Sequence, residues 1–254
     1  SHATLGDPYW WDPGDASDYV TYDRCIASHV LADGTNRYKT NGFFAARSNT
    51  ARSCAMRNCV AAGVHGPDSA GYFWDNGSLG VWAFEDCVAH NIETNGLRVW
   101  QNTSVVHVID RFTAYNCATG ISHGAYANPY KYHGATVHDC GTGLIVTAVT
   151  ASDDGSSLEF HDVVVTASDT GLELGDAPVD ASRRTDFRRC QFDNVVVTAS
   201  HADSAKHWDF VDCGLTTDDI SVEQLSGDTL LRVQTGGEAW QLTSGGQWSA
   251  IASF

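Results

Sequence analysis

The chain has 254 residues, 43% of them hydrophobic, and its 15 Lys+Arg against 31 Asp+Glu leave a net charge of −16. That hydrophobic share supports a packed core and excludes a disordered or simple fibrous chain. No apolar run approaches the roughly 18 residues that span a bilayer, and Ser1-His2-Ala3 does not open a signal peptide. The acidic field repels polyanions, which argues against nucleic acid and anionic membrane as partners.

Residues 1–19 contain Tyr9-Trp10-Trp11-Asp12-Pro13, an aromatic segment suited to covering the open end of a stacked fold. From residue 20 an internal repeat sets in, most visible at the cysteines. Cys25, Cys59, Cys87, Cys140, Cys190 and Cys213 each stand three residues after an apolar one: Tyr22, Met56, Phe84, Val137, Phe187 and Phe210. Two segments fit with the cysteine replaced, ending in Phe112 and Val163. Successive anchors lie 34, 28, 25, 28, 23, 27 and 23 residues apart. A second column, Gly42, Gly71, Gly96, Gly120, Gly143 and Gly171, is followed each time by an apolar residue, and glycine there suits a positive-φ turn.

Short period-two segments without hairpin or helical rhythm, repeating at this interval, predict an all-β fold: a single-stranded right-handed parallel β-helix of about eight coils over 20–226. Leucine-rich repeats lack their leucine ladder here, and propeller blades are longer. Phe84, Phe160, Phe187 and Phe210 are expected in an interior stack. A stacked Cys column leaves two states open. One is a ladder of buried free thiols, which suits side chains pointing the same way; the other is disulfides between coils, whose Cα separation fits. Cys54 and Cys117 fall off the column, and the absence of a C-x-x-C pair argues against zinc. From residue 227 the pattern changes to Thr229-Leu230-Leu231-Arg232-Val233 and Gly-rich turns with Trp240 and Trp248, so 227–254 reads as a C-terminal β cap.

Met56-Arg57-Asn58-Cys59-Val60-Ala61-Ala62-Gly63, with Ala70-Gly71-Tyr72-Phe73-Trp74 downstream, resembles an element of the transmembrane and cell-migration-inducing hyaluronidase family, a β-helix group of the pectate-lyase-like superfamily. Val108 to Tyr115 is similar to a later rung of that family, and Tyr9-Trp10-Trp11-Asp12-Pro13 to its opening segment. The resemblance covers roughly residues 9–145. It implies an extracellular or cell-surface β-helix that acts on, or binds, polysaccharide; the repeat running so close to the first residue leads us to expect part of a longer polypeptide. The resemblance transfers no catalytic residue.

Outward positions after the glycine column put Phe44, Phe73, Asp75, Arg98 and Trp100 on one face. Aromatic rings, Arg and Asp are the side chains that hold sugars. Tyr126 and Tyr130 belong to a downstream insertion that either lines this groove or covers it. On this reading Asp75, Arg98 and His123 are the catalytic candidates, and Phe44, Phe73, Trp100, Tyr126 and Tyr130 the substrate-binding ones. His123 falls at a nominally inward position, and a structural histidine is the competing reading. His90 faces outward near Tyr115, whereas His138 and His161 share another outward column. No cofactor is expected for hydrolysis or binding; calcium enters only with a lyase that neutralises a uronate. Two functions stay open: a β-helix that binds or cleaves polysaccharide through this face, and a non-catalytic structural or glycan-binding module of a larger surface protein.

Overall fold

A computed structural model describes residues 4–5, 8–10, 21–32, 40–45, 54–74, 82–99, 106–124, 130–147, 158–175, 183–199, 206–225, 230–242 and 247–254. These residues form a parallel β-solenoid, interrupted by one short 3-10 turn at Thr217–Asp219. No helix among them is long and apolar enough to cross a membrane.

Each coil contributes to three walls. The first wall climbs from Thr21–Asp23 through Cys54–Arg57, Trp82–Glu85, His107–Asp110, Tyr130–His133, Leu158–His161 and Arg183–Arg188 to Lys206–Val211. The second begins with Ile26–Leu31 and Val60–His65 and ends with Thr136–His138, Val164–Thr166 and Gln191–Phe192. The third includes Asn41–Ala45, Ala70–Trp74, Thr142–Thr147, Thr170–Gly175, Val195–Ala199 and Ile220–Leu225. Val88–Val99 and Thr113–His123 run continuously from the second wall into the third. At the start, Thr4–Leu5 pairs with Val30–Leu31 and Tyr9–Trp10 with Phe43–Phe44, both parallel. At the other end Leu230–Thr235 joins the first wall in parallel, then Gly236 and Gly237, at φ 57° and 86°, turn the chain into antiparallel Glu238–Leu242 and Trp248–Ala250.

Two corners of the coil use left-handed backbone. Arg24, Asn58, Asp86, Arg111, Gly134, Asp162, Arg189 and Asp212 mark the corner between the first and second walls, with φ between 50° and 62°. His29, Gly63, Asn91, Asn116, Asp139 and Ala167 mark the corner between the second and third walls, with φ between 51° and 64°. Asn and Asp tolerate this region better than most residues. At both corners the next residue points inward and is usually small or apolar.

This shared local grammar corrects the sequence register at one anchor. Cys140 follows Asp139 at the second corner, and its coil carries Ala135 after Gly134 at the first. Val137 therefore pairs with Ala114 and Val165 in the second wall, while Tyr132 takes the first-wall position between Ile109 and Phe160. Cys117, unassigned from sequence, follows Asn116 at the same second corner.

The glycine column is real, and its reason differs from the expected positive φ. None of Gly42, Gly71, Gly96, Gly120, Gly143 and Gly171 has a positive φ. A Cβ on Gly96 would sit 2.6 Å from the Gly120 carbonyl oxygen, and one on Gly143 2.1 Å from a Val165 methyl. Close packing of this strand against the inner Ala/Val column and the next backbone excludes any side chain.

Aromatic volume changes walls along the axis. Near the start, Tyr9, Phe43 and Tyr72 stack on the third wall at 4.6 and 4.9 Å, opposite Tyr22 and Met56. Further on, Tyr132, Phe160, Phe187 and Phe210 stack on the first wall at 4.6, 5.0 and 4.6 Å, while the third wall supplies Leu144, Leu172 and Val195. Constant interior volume at near-crystalline density requires that exchange. Phe84 lies outside the longer stack and meets Tyr72 and Trp74 edge-on.

Candidate functional site

The expected aromatic face is assembled only in part. Phe44, Phe73 and Arg98 do occupy one column of the third wall, continued by Ser122 and Ile145. Phe73, however, is only 2% exposed, and the Arg98 guanidinium lies 5.6 Å from its ring centre and 3.5 Å from Asp68. A ring already beneath a cation and out of solvent does not offer its face to a sugar. Asp75, Trp100 and Tyr126 lie outside the described residues, as does the Phe44 side chain.

His123 and Tyr130 point into the core rather than toward Arg98. His123 is fully buried in the third-wall column between Val99 and Val146, with Nδ1 2.8 Å from the Tyr132 hydroxyl. Tyr130 packs edge-on against His123 and stacks on His107 at 5.0 Å. Burial pushes the Tyr130 and Tyr132 phenols well above their ordinary range, so both stay protonated. The cluster is a polar knot in the interior, closed to substrate.

The first wall carries charge. Its outward column runs Val108, Lys131, Glu159, Asp186, Asp209 and Arg232. Lys131 meets Glu159 at 3.0 Å, and Arg232 holds the fully buried Asp209 through two bonds of 2.6 and 2.7 Å. The neighbouring outward column contains His133, His161 and Arg188. Burial, with positive neighbours in His133, Arg188 and Arg189, lowers the His161 pKa against the pull of Glu159. Among the described residues no group of three or more His, Cys, Asp or Glu side chains could hold a metal ion.

The second wall has the opposite character. One outward column reads Ile26, Val60, Val88, Thr113, Thr136 and Val164; the other reads Ser28, Ala62, His90, Tyr115, His138 and Thr166. All of these side chains are half-buried or exposed, and none belongs to Asp, Glu, Lys or Arg. In a chain of net charge −16 this is a distinct surface. His90 and Tyr115 stack at 4.9 Å and 1°, and Tyr115 and His138 at 5.2 Å and 5°. Rings stacked along the helix axis spend their faces on each other and present their edges outward. Asp139 holds His138 Nδ1 at 2.7 Å, fixing that ring, and Asn116 Nδ2 donates to Asn91 Oδ1 at 2.6 Å along the adjoining corner. The result is a comb of ring edges, hydroxyls and amides at rung spacing, about 4.8 Å.

Sequence reading placed His90 beside Tyr115 but put His138 with His161. The structure separates those two histidines: His138 pairs with Tyr115 and Thr166 in the second wall, His161 with His133 and Arg188 in the first. The signal was present in the triplets Ala89-His90-Asn91, Ala114-Tyr115-Asn116 and Val137-His138-Asp139: inward residue, ring, corner residue. Aligning Cys140 with the wrong corner hid it.

Comparison with protein-family models, with curated proteins and with solved structures returns no match for this chain.

Proposed function

We propose that the chain is a polysaccharide-binding β-helix, a module of a secreted or cell-surface protein, and that the second wall is its binding face. The observation that carries this reading is the His90–Tyr115–His138 ladder on a wall free of formal charge. A periodic row of hydrogen-bonding edges suits a polymer with periodic hydroxyls, and the many small apolar contacts beside it suit a sugar backbone laid along the helix axis. The resemblance of the sequence to the hyaluronidase family points to the same substrate class. Electrostatics narrows it: an acidic chain repels a uronate polymer, so a neutral glycan fits better than hyaluronan.

Affinity electrophoresis through gels containing neutral or uronate polysaccharides tests the proposal. Retardation by a neutral glycan, lost in Tyr115→Ala with the circular dichroism spectrum unchanged, supports it. Retardation that survives Tyr115→Ala and His90→Ala, or none on any glycan, sinks it.

Cleavage is a second reading, favoured by one observation: Glu159 and Asp186 stand on consecutive rungs of the first wall. Glycosidases work with carboxylate pairs at separations of this order. It requires new reducing ends from a polysaccharide and their loss in Asp186→Asn. Glycan binding without new reducing ends leaves the binding module alone.

A further inference from the structure

We propose that Cys25 and Cys59 are an oxidisable pair, a modification site at which a disulfide staples the first coil to the second. All seven cysteines with described side chains are free thiols. Cys25, Cys59 and Cys87 occupy successive levels of one column, because Ile26, Val60 and Val88 pair in register. The Val60 amide donates to the Cys25 carbonyl at 2.9 Å, and the Val88 amide to the Cys59 carbonyl at 2.9 Å. In-register parallel neighbours lie roughly 4.8 Å apart, inside the roughly 4.4–6.8 Å Cα window of a disulfide.

Access and position at the edge of the wall single out the first pair. Cys25 is half-buried, whereas Cys59 and Cys87 are fully buried, so an oxidant in solution meets Cys25 first. The Cys25 thiol makes a long contact, 3.7 Å, to the Asp23 carbonyl and hydrogen-bonds with the side chains of Tyr9 and Cys59, so it already meets its proposed partner. Thr21–Asp23 also ends the first wall, with a strand neighbour on one side only among the described residues, so this coil can adjust. Cys59, Cys190 and Cys213 are held alike, their thiols donating at 3.4, 3.3 and 3.3 Å to the Tyr22, Phe160 and Phe187 carbonyls; what sets the Cys190–Cys213 stack apart is that both of its thiols are buried. The second thiol of the proposed pair is suited to attack. A hydrogen bond from Cys87 outweighs burial and, with the Cys25 backbone, lowers the Cys59 pKa, whereas burial raises that of Cys25, whose exposure and not its acidity makes it the first target.

With a peroxide as oxidant the chemistry closes. The Cys25 thiolate attacks one peroxide oxygen, the O–O bond breaks, and the released hydroxide takes a proton to become water. Cys25 is then a sulfenic acid. The Cys59 thiolate attacks that sulfur, the S–O bond breaks, and a second hydroxide leaves and is protonated. Two thiols and one hydrogen peroxide give one disulfide and two waters.

The test uses the whole chain, folded, treated with a small excess of hydrogen peroxide, alkylated and digested without reduction. The expected result is a peptide linking Cys25 to Cys59, absent in Cys25→Ser and retained in Cys87→Ser. The oxidised chain should melt several degrees higher and return to its starting value with dithiothreitol. Mapping the wild-type chain decides the matter even if Cys59→Ser does not fold. Overoxidation of Cys25 to the sulfonic acid, a dimer linked through Cys25, or a first disulfide between other cysteines would each overturn the proposal.

Discussion

At single residues, the helix is governed by places where a side chain cannot be and places where the backbone must turn left. Gly120 belongs to the first kind, since a Cβ there would sit 2.3 Å from a Val137 methyl and 2.7 Å from the Gly143 carbonyl oxygen. Gly120→Ala should destabilise by about 1–3 kcal/mol or more, as overpacking does. Gly175 is the control. Its nearest neighbour is 3.4 Å from a built Cβ and its φ is ordinary, so Gly175→Ala should be neutral or stabilising by about 0.5 kcal/mol. Ala167 belongs to the second kind, at φ 51° without the side-chain help of Asn or Asp. Ala167→Gly should raise stability by up to about 1 kcal/mol, because relief of left-handed strain exceeds the entropy that glycine loses. Urea denaturation of the three variants checks the ordering.

Between elements, stability comes from columns rather than from single contacts. Phe187 stacks between Phe160 and Phe210 at 5.0 and 4.6 Å and is fully buried. Phe187→Ala should cost about 3–5 kcal/mol by cavity formation, and Phe187→Leu clearly less; calorimetric melting distinguishes them. The corner ladder adds a pH dependence. Hydrogen bonds from Arg189, at 2.8 Å, hold the Asp162 carboxyl below the usual carboxylate range, and Arg111 does the same for Asp86. A carboxyl depressed in the folded state stabilises at neutral pH, and that contribution fades as pH falls below the unfolded value of about 3.9. Arg189→Gln should therefore be less stable than wild type at neutral pH, the gap closing in acid. Both partners are more than half exposed, so the gap should be small and shrink with salt. Urea titrations at neutral and acid pH, with and without salt, read this directly.

Over the whole molecule, charge is partitioned by wall. The first wall carries the Lys131-to-Arg232 column of ionic side chains, and the second wall presents none between Ile26 and Val164. Binding through the second wall should then depend little on salt, because its two outward columns carry no Asp, Glu, Lys or Arg. Retardation by a neutral glycan that weakened steeply with salt would instead implicate the first wall. The Arg98–Phe73 contact on the third wall shows why Phe73, at an outward position, is closed to a ligand: facing outward and being exposed are different properties, and the side chains of neighbouring coils decide the second.

The sequence by itself determined the parallel β-helix, its glycine column and the Phe160, Phe187 and Phe210 members of the inward stack, since each is a periodic demand that the coils repeat. It did not determine which of two corners Cys140 belongs to. Both corners ask for the same thing, a left-handed residue before a small inward one, and only the stacking of Tyr132 on Phe160 at 4.6 Å separates them. Assembly of the His90–Tyr115–His138 ladder and burial of His123 against Tyr132 depended on that choice. Local chemistry specifies a rung, and the register between rungs decides which side chains meet.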